Sequence, residues 1–384
     1  MNKNKAHQFI HTKRVDESGA WYGLDNAGVI MPAVTNSVNT SLFRFEFRLA
    51  ANIDLDALNR ALRDCANRFP YFNVSLKRGF FWYYLDQCKT SPRAYSDQGS
   101  PCQDWNINKR GTRMFRIRVQ GDRLAGEFSH ALTDGFGAMA FMKNLLVRYY
   151  ALLGVDAGAE LGQGDYADIV PVESPVPAEE YEDAYQRYFP GSLPAPEANP
   201  RAWHLRGERL PKGSYRIIVG TLELPEILNE AKKRNVTLTG LLGAVYLDAL
   251  QSLWFAQAEK PRERFISVEI PVNLRQFFAS KSNRNFSLFF LLKENLDLGA
   301  RGFDELVKRS HHRMKIEGDP KSLAMQIARN AGGTRNPIVR AMPLFIKDIA
   351  GRILFSVLGE SMLSGFISNL GVLRLQRFRA VLER

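Results

Sequence analysis

The chain has 384 residues, more than one ordinary domain organises around a single core, so two lobes or one bipartite fold are expected. Apolar residues make up 45% and charged residues 24%, which excludes disordered and fibrous classes and fits a packed globular protein. The net charge of +12 is spread along the chain, and no zinc-finger, RNA-recognition or helix-turn-helix signature accompanies it; this excludes a nucleic acid and leaves a phosphorylated cofactor, an acidic carrier protein or a lipid surface as anionic partners.

The N-terminus, Met1-Asn-Lys-Asn-Lys-Ala-His7, is polar and has no signal-peptide core, and residues 1–20 read as an arm. Trp21 to Val34, with Pro32, reads as a short helix or loop. Thr40 to Leu49 alternates: Phe43, Phe45, Phe47 and Leu49 face one way and Arg44, Glu46 and Arg48 the other, the pattern of a half-buried strand. Asp54 then caps a helix that runs to Phe69 and stops at Pro70, with Leu55, Leu58, Leu62 and Cys65 on one face. Leu76 to Leu85 reads as a hairpin around Gly79. Met114 to Val119 and Leu124 to Ser129 read as paired strands, and a helix with apolar residues at helical spacing follows from Phe136 to Leu153. From Gly154 to Pro211 prolines, glycines and acids are dense, as expected of a crossover lying on the surface of both halves.

The second half opens with an expected strand, Tyr215 to Leu222, then helices at Pro225 to Lys233 and Thr237 to Phe255. Strands are expected at Phe265 to Leu274 and, near-continuously apolar, at Phe286 to Leu292. Helices at Phe303 to Lys315 and Lys321 to Arg329 follow, and Gly365 to Leu375 reads as a last strand. Between them lies the most apolar region, Pro337 to Phe366, broken by Arg340, Lys347, Asp348, Arg352 and Glu360; it reads as a pair of core helices, with peripheral contact to a membrane surface as the other use of such a segment. No run approaches the length of a membrane-spanning helix. Three cysteines, Cys65, Cys88 and Cys102, without metal spacing fit free thiols in a reducing, cytoplasmic compartment. The repeated strand-helix-strand order predicts an α/β protein of two similar lobes, residues 1–170 and 212–384, joined by a linker over 171–211.

The stretch Glu127-Phe-Ser-His-Ala-Leu-Thr-Asp-Gly-Phe136 stands out. It reads as a strand end, a loop carrying His130 and a turn at Asp134-Gly135 that opens a helix. An imidazole in such a loop can take and return a proton near neutral pH. The plainer reading is a buried histidine bonded to backbone. A metal site is not expected, because no His, Cys or carboxylate cluster stands near to complete a ligand set.

His130-Ala-Leu-Thr-Asp134-Gly135 at a helix start resembles the active-site motif of the acyltransferases shaped like chloramphenicol acetyltransferase, the superfamily of the plant BAHD enzymes, alcohol acetyltransferases, wax-ester synthases and peptide-synthetase condensation domains. Leu24-Asp-Asn-Ala27, Leu58 to Phe72 and Gly79-Phe-Phe-Trp82 look most like the bacterial alcohol acetyltransferase-like branch. Pro271-Val-Asn-Leu-Arg275 resembles the segment that brings in a second-lobe arginine, and Arg284-Asn285-Phe286 the start of a strand crossing towards the other lobe. Ser368-Asn369-Leu370-Gly371 is similar to the Ser-Asn motif of the wax-ester synthase branch.

The resemblance implies two α/β lobes of mixed sheet and helix with a tunnel between them, and acyl transfer from an acyl-CoA co-substrate to an alcohol or amine, with no bound cofactor and no metal. It implies His130 as general base, Asp134 as a structural partner of Arg275, Gly135 as a point of close backbone packing, and Ser368, Asn369 and Asn285 as oxyanion or substrate contacts. An acyl carrier protein as donor, or a non-catalytic acyl-binding module, are the alternatives; a monomer is expected. Three departures stand out. Ser129 replaces the second His of condensation domains, the plant branch's Asp-Phe-Gly-Trp-Gly is absent, and the chain stops at Arg384, where relatives continue through further strands, so a truncated second sheet is expected.

Overall fold

A computed structural model describes residues 13–16, 19–103, 105–155, 161, 167–194, 197–208, 210, 211 and 214–371. Strands β1 (Lys13–Asp16) and β2 (Gly19–Gly23) form a hairpin, and a 3-10 turn leads to the short helix α1 (Met31–Val34). Strand β3 (Leu42–Arg48) buries Phe45 and Phe47 and exposes Arg44's neighbours Glu46 and Arg48, as its alternation requires. Helix α2 (Leu55–Arg68) begins where Asp54 Oδ1 accepts the Ala57 N–H (2.9 Å), and its face of Leu58, Ala61, Leu62 and Cys65 is buried. Strands β4 (Val74–Arg78) and β5 (Tyr83–Gln87) form the expected hairpin, and β6 (Ala94–Ser96) is an edge strand too short to show in the sequence pattern. Strands β7 (Phe115–Gln120) and β8 (Arg123–Ser129) feed helix α3 (Gly135–Leu152).

The first lobe therefore holds two four-stranded sheets, ordered β1-β2-β5-β4 and β3-β8-β7-β6. Their shared core is rich in aromatics, with Phe72, Phe115, Phe128 and Phe141 packed ring on ring.

The crossover is less superficial than its composition suggests. It contains the short helix α4 (Ala184–Arg187), and two of its aromatics, Tyr185 and Trp203, are fully buried. Proline-rich chain cannot form a core of its own, but single large rings anchor it in cores made by others. Tyr185 sits with Leu274, Phe286 and Leu288 at the seam of the lobes, and Trp203 sits in the second-lobe core.

Helices α5 (Leu224–Lys233) and α6 (Leu238–Phe255) precede β9 (Phe265–Asn273) and β10 (Ser287–Asn295), and helices α7 (Phe303–Glu317) and α8 (Pro320–Arg335) follow. Thr237 caps α6 through Gly240 N–H (3.1 Å). Its 18 residues are long and apolar enough to cross a membrane, contrary to the expectation that no such run exists; its buried side, with Leu241, Ala244, Leu247 and Trp254, packs in the second-lobe core. The sheet of the second lobe has the order β10-β9-β11, where β11 is only Gly365–Phe366, parallel to β9.

Three expectations are corrected here. Residues 215–222 form no strand and belong to no sheet, and Ile217, Ile218 and Val219 face solvent; β9's edge is instead occupied by β11 and by Ala202, which bridges to Phe265. A β-branched run shows strand preference, not whether an edge is free to receive it. Of the expected last strand only two residues are paired, and residues 372–375 lie outside the described residues. Finally, α9 (Pro337–Ala341) buries nothing and α10 (Leu344–Leu358) buries only Leu344 and Asp348 among its described side chains, so the apolar pair is a surface element rather than a core one.

Candidate active site

Strand β8 is central in its sheet, and its pairing with β3 extends one residue past the strand end: His130 N–H donates to the Ser41 carbonyl (3.0 Å). The chain then turns tightly, with the Leu132 and Thr133 N–H groups donating to the Ser129 carbonyl and the Ala131 N–H to Ser129 Oγ. Asp134 follows in extended conformation and caps α3, its Oδ1 accepting the Gly137 N–H (3.0 Å). A strand end, a four-residue loop and a capped helix thus fix His130 at both ends of its loop.

The other oxygen of Asp134 reaches the second lobe. Oδ2 accepts from Arg275 Nη1 (2.8 Å) and from the Phe286 N–H (2.8 Å). Arg275 is buried and donates further to the carbonyls of Ser282 (2.9 Å) and Arg284 (2.5 Å), while its guanidinium lies 4.6 Å from the centroid of the Phe136 ring. The sequence brought these two residues together only through a resemblance; the geometry makes them one latch across the seam.

Asn285 has a different place from the one expected. Its side-chain amide donates to Asp25 (2.9 Å) and to the His130 carbonyl (2.8 Å), so its hydrogens are engaged in holding the histidine loop rather than free for an oxyanion. Asp25 in turn accepts the Gly28 N–H (2.7 Å) and lies 3.5 Å from Arg284 Nε. Asn369 donates to Thr239 Oγ1 (2.9 Å) and accepts the Gly371 N–H, and Ser368 is exposed. Their neighbour Leu370 comes against the helix start: a Cβ on Gly135 would stand 3.1 Å from Leu370 Cδ2.

The tighter glycine is Gly137, which the sequence reading passed over. A Cβ there would lie 2.1 Å from the Asn283 carbonyl oxygen and 2.3 Å from Thr133 Oγ1. Thr133 Oγ1 donates to that same carbonyl (2.6 Å), and Asn283 donates to Tyr71 Oη (2.8 Å). Tyr71 donates to Glu180, which Arg68 grips with two hydrogen bonds of 2.6 and 2.8 Å. Asp25 offered one signal, an acid in an otherwise apolar stretch. Gly137 and Asn283 offered none, because their partners lie in the other half of the chain.

The imidazole of His130 sits 4.4 Å, centroid to centroid, from the Phe43 ring, and the residue keeps part of its surface open to solvent. Crowding by protein pushes its pKa below the ordinary histidine value, and the Asp134 carboxylate, the Thr133 backbone and Asn285 oppose that shift only in part. Burial thus favours the neutral imidazole, the form that can accept a proton. Two buried carboxyl groups, Asp25 and Asp183, lie in the field of one buried guanidinium, Arg284, which comes within 3.5 Å of Asp25: burial and the neighbouring Asp25 push Asp183 up to about 8, with Arg284 acting in the other direction.

Lobes of mixed sheet flanked by helices, joined by a crossover anchored through buried side chains and latched at the start of the helix after β8, define a two-lobed α/β protein of the condensation-domain fold. Among solved structures, the first condensation domain of the calcium-dependent antibiotic synthetase matches 94% of this chain and 83% of its own, at a TM-score of 0.55 and 15% identity. Two others match less well, both at a TM-score of 0.49: F. sporotrichioides TRI101 complexed with Coenzyme A and T-2 (10% identity, 91% of this chain and 82% of its own) and the starter condensation domain of rhizomide synthetase RzmA in complex with C8-CoA (14%, 80% and 72%). No family model and no curated protein matches the chain.

Proposed function

We propose that this protein is an acyltransferase that moves an acyl group from an acyl-CoA thioester to an alcohol or amine, with His130 as general base. The observation that carries this reading is a partly exposed imidazole whose loop is fixed from both lobes, through Asn285 at its carbonyl and through the Asp134–Arg275 latch. His130 takes the proton of the acceptor as its oxygen or nitrogen attacks the thioester carbonyl. When the tetrahedral intermediate collapses, the carbon–sulfur bond breaks and the imidazolium returns the proton to the thiolate. Base and acid are the same group, and no covalent acyl-enzyme forms. Holding both substrates at one imidazole removes the entropy of their meeting. Asp134 serves by geometry: both of its oxygens are engaged by Gly137, Arg275 and Phe286, which leaves it a positioning residue.

The test is thiol release. Incubation with acetyl-CoA or longer acyl-CoAs and an alcohol is expected to liberate free CoA, and His130→Ala to lower the rate by about 10²–10⁴-fold, the usual worth of a general base. Undiminished turnover in His130→Ala would reject the mechanism. Transfer from an acyl group on a carrier protein but from no CoA thioester would move the donor to the carrier. Binding of acyl-CoA without any transfer would make the chain an acyl-binding module.

A further inference from the structure

The surface pair α9–α10 has no role in the site just described, yet it concentrates apolar side chains. Ile338, Phe345, Ile349 and Ile353 are 74%, 57%, 55% and 61% exposed. Phe345, Ile349 and Ile353 follow one another at intervals of four, so they form one stripe along α10. The opposite side of the helix rests on the first lobe: Leu344 is buried, and Arg352 Nε donates to the Ala33 carbonyl on α1 (2.9 Å). The β4–β5 hairpin tip continues the stripe. Leu344 N–H donates to the Phe80 carbonyl (2.9 Å), and the Phe80 side chain is 71% exposed.

Charge decides what covers this face. Between Pro337 and Leu358 the only carboxylate is Asp348, and it turns inward to Arg78 (3.2 Å) and Tyr83 (3.0 Å). The same segment carries three cations, Arg340, Lys347 and Arg352; the Lys347 ammonium lies 3.4 Å above the Trp82 ring centroid and donates to the Phe81 carbonyl (2.8 Å) at the hairpin tip, and Arg352 sits at the edge of the helix that meets α1. A second copy docked on the same face would set these cations against their own images. The chain's own residues 372–384 carry four arginines and one glutamate, so they too are mismatched to it. An apolar stripe on a segment that carries bases and no outward acid complements an anionic bilayer surface, whose headgroups meet the cations while the isoleucines and phenylalanines enter the acyl boundary.

We infer that α9, α10 and the β4–β5 tip dock this protein on a membrane surface bearing anionic lipids. The stripe is separated from the histidine loop by little more than α1 and the turn before it: a Cβ on Gly28 would stand 2.9 Å from the Ala131 carbonyl oxygen. Docking there places the candidate site close to a reservoir of apolar acyl chains, but membrane binding itself does not depend on the transfer reaction.

Co-sedimentation of the full chain with vesicles tests this without any catalytic readout. Binding is expected to vesicles of phosphatidylcholine mixed with phosphatidylglycerol, to weaken with added salt, and to be much poorer with phosphatidylcholine alone. Ile349→Asp with Ile353→Asp is expected to cut partitioning roughly tenfold or more. Both side chains face outward, so circular dichroism should show the fold unchanged, and Phe80→Ser, on a different element, should weaken binding independently. Wild-type protein that stays in solution with the anionic vesicles overturns the proposal. So does equal binding by all variants, or a wild-type dimer that the double substitution converts to monomer, which would assign the face to a second copy.

Discussion

At the scale of residues, a general base is useful only while it lacks its proton. Burial disfavours the imidazolium of His130 more than Asp134 favours it, so the folded pKa lies below the ordinary value near 6.5. The kcat/KM profile is therefore expected to reach its half-maximum below about pH 6.5, the ordinary histidine value; a half-maximum above pH 7 would contradict the assignment. The linked stability effect has the same direction: the histidine contributes fully above its unfolded pKa and destabilises the fold as pH falls below it. Asn285 acts on the same group from behind. Asn285→Ala strips one donor from the His130 carbonyl and one from Asp25, at a cost of about 1–3 kcal/mol for groups left unsatisfied. If Asn285 positions the imidazole, kcat measured on folded protein falls at least tenfold with KM little changed. A lowered melting temperature with kcat intact would reduce it to a structural role.

At the scale of elements, α3 begins with two glycines that the local sequence cannot tell apart. The Asp134-Gly135 turn drew attention to Gly135, yet the demanding contact is at Gly137, where the second-lobe backbone at Asn283 comes within side-chain distance. Gly137→Ala forces a Cβ into a carbonyl oxygen and is expected to destabilise by about 1–3 kcal/mol or prevent the lobes from seating. Gly135→Ala faces the end of a leucine side chain that can turn aside, and thermal melts should rank the two accordingly. What was legible in the sequence follows the same division. The periods of β3, α2 and α3, and the cap Asp54, are local and were read directly, whereas the structure adds Asp134 and Thr237 as caps. The exposed run at 215–222 and the surface helices α9 and α10 were misread because an apolar pattern states what a segment prefers to touch, while exposure depends on what the rest of the chain brings to it. His130 and Asp134 drew attention through the motif that carries the resemblance. Asp25, Asn283 and Gly137 did not, since each owes its importance to a partner in the other lobe.

At the scale of the whole molecule, the lobes are joined by buried charge as well as by apolar contact, and the two charged groups behave differently. Asp134 and Arg275 are well paired, so Asp134→Ala leaves a buried guanidinium without its counter-charge and removes the cap of α3, for an expected loss of about 3–5 kcal/mol in denaturant melts. Asp134→Asn keeps the acceptor for Gly137 and loses only the charge, so it separates cap from latch; if both variants lose equally, the ion pair is the larger part. Asp25, Asp183 and Arg284 are unevenly matched, two carboxyls to one cation; burial raises both carboxyls, and Asp183, with Asp25 beside it, is pushed up to about 8. A folded pKa raised above the unfolded value near 4 means that the group's contribution is fully present below about pH 4 and is lost as pH climbs towards 8. Asp183→Asn removes that titration while preserving an acceptor for the Tyr185 N–H at the start of α4. The variant should therefore melt above wild type, by a small margin at pH 5 and by a margin wider by roughly several degrees at pH 8. An equal margin at both values would mean that Asp183 is ionised in the fold and that Arg284 stabilises both carboxylates at once.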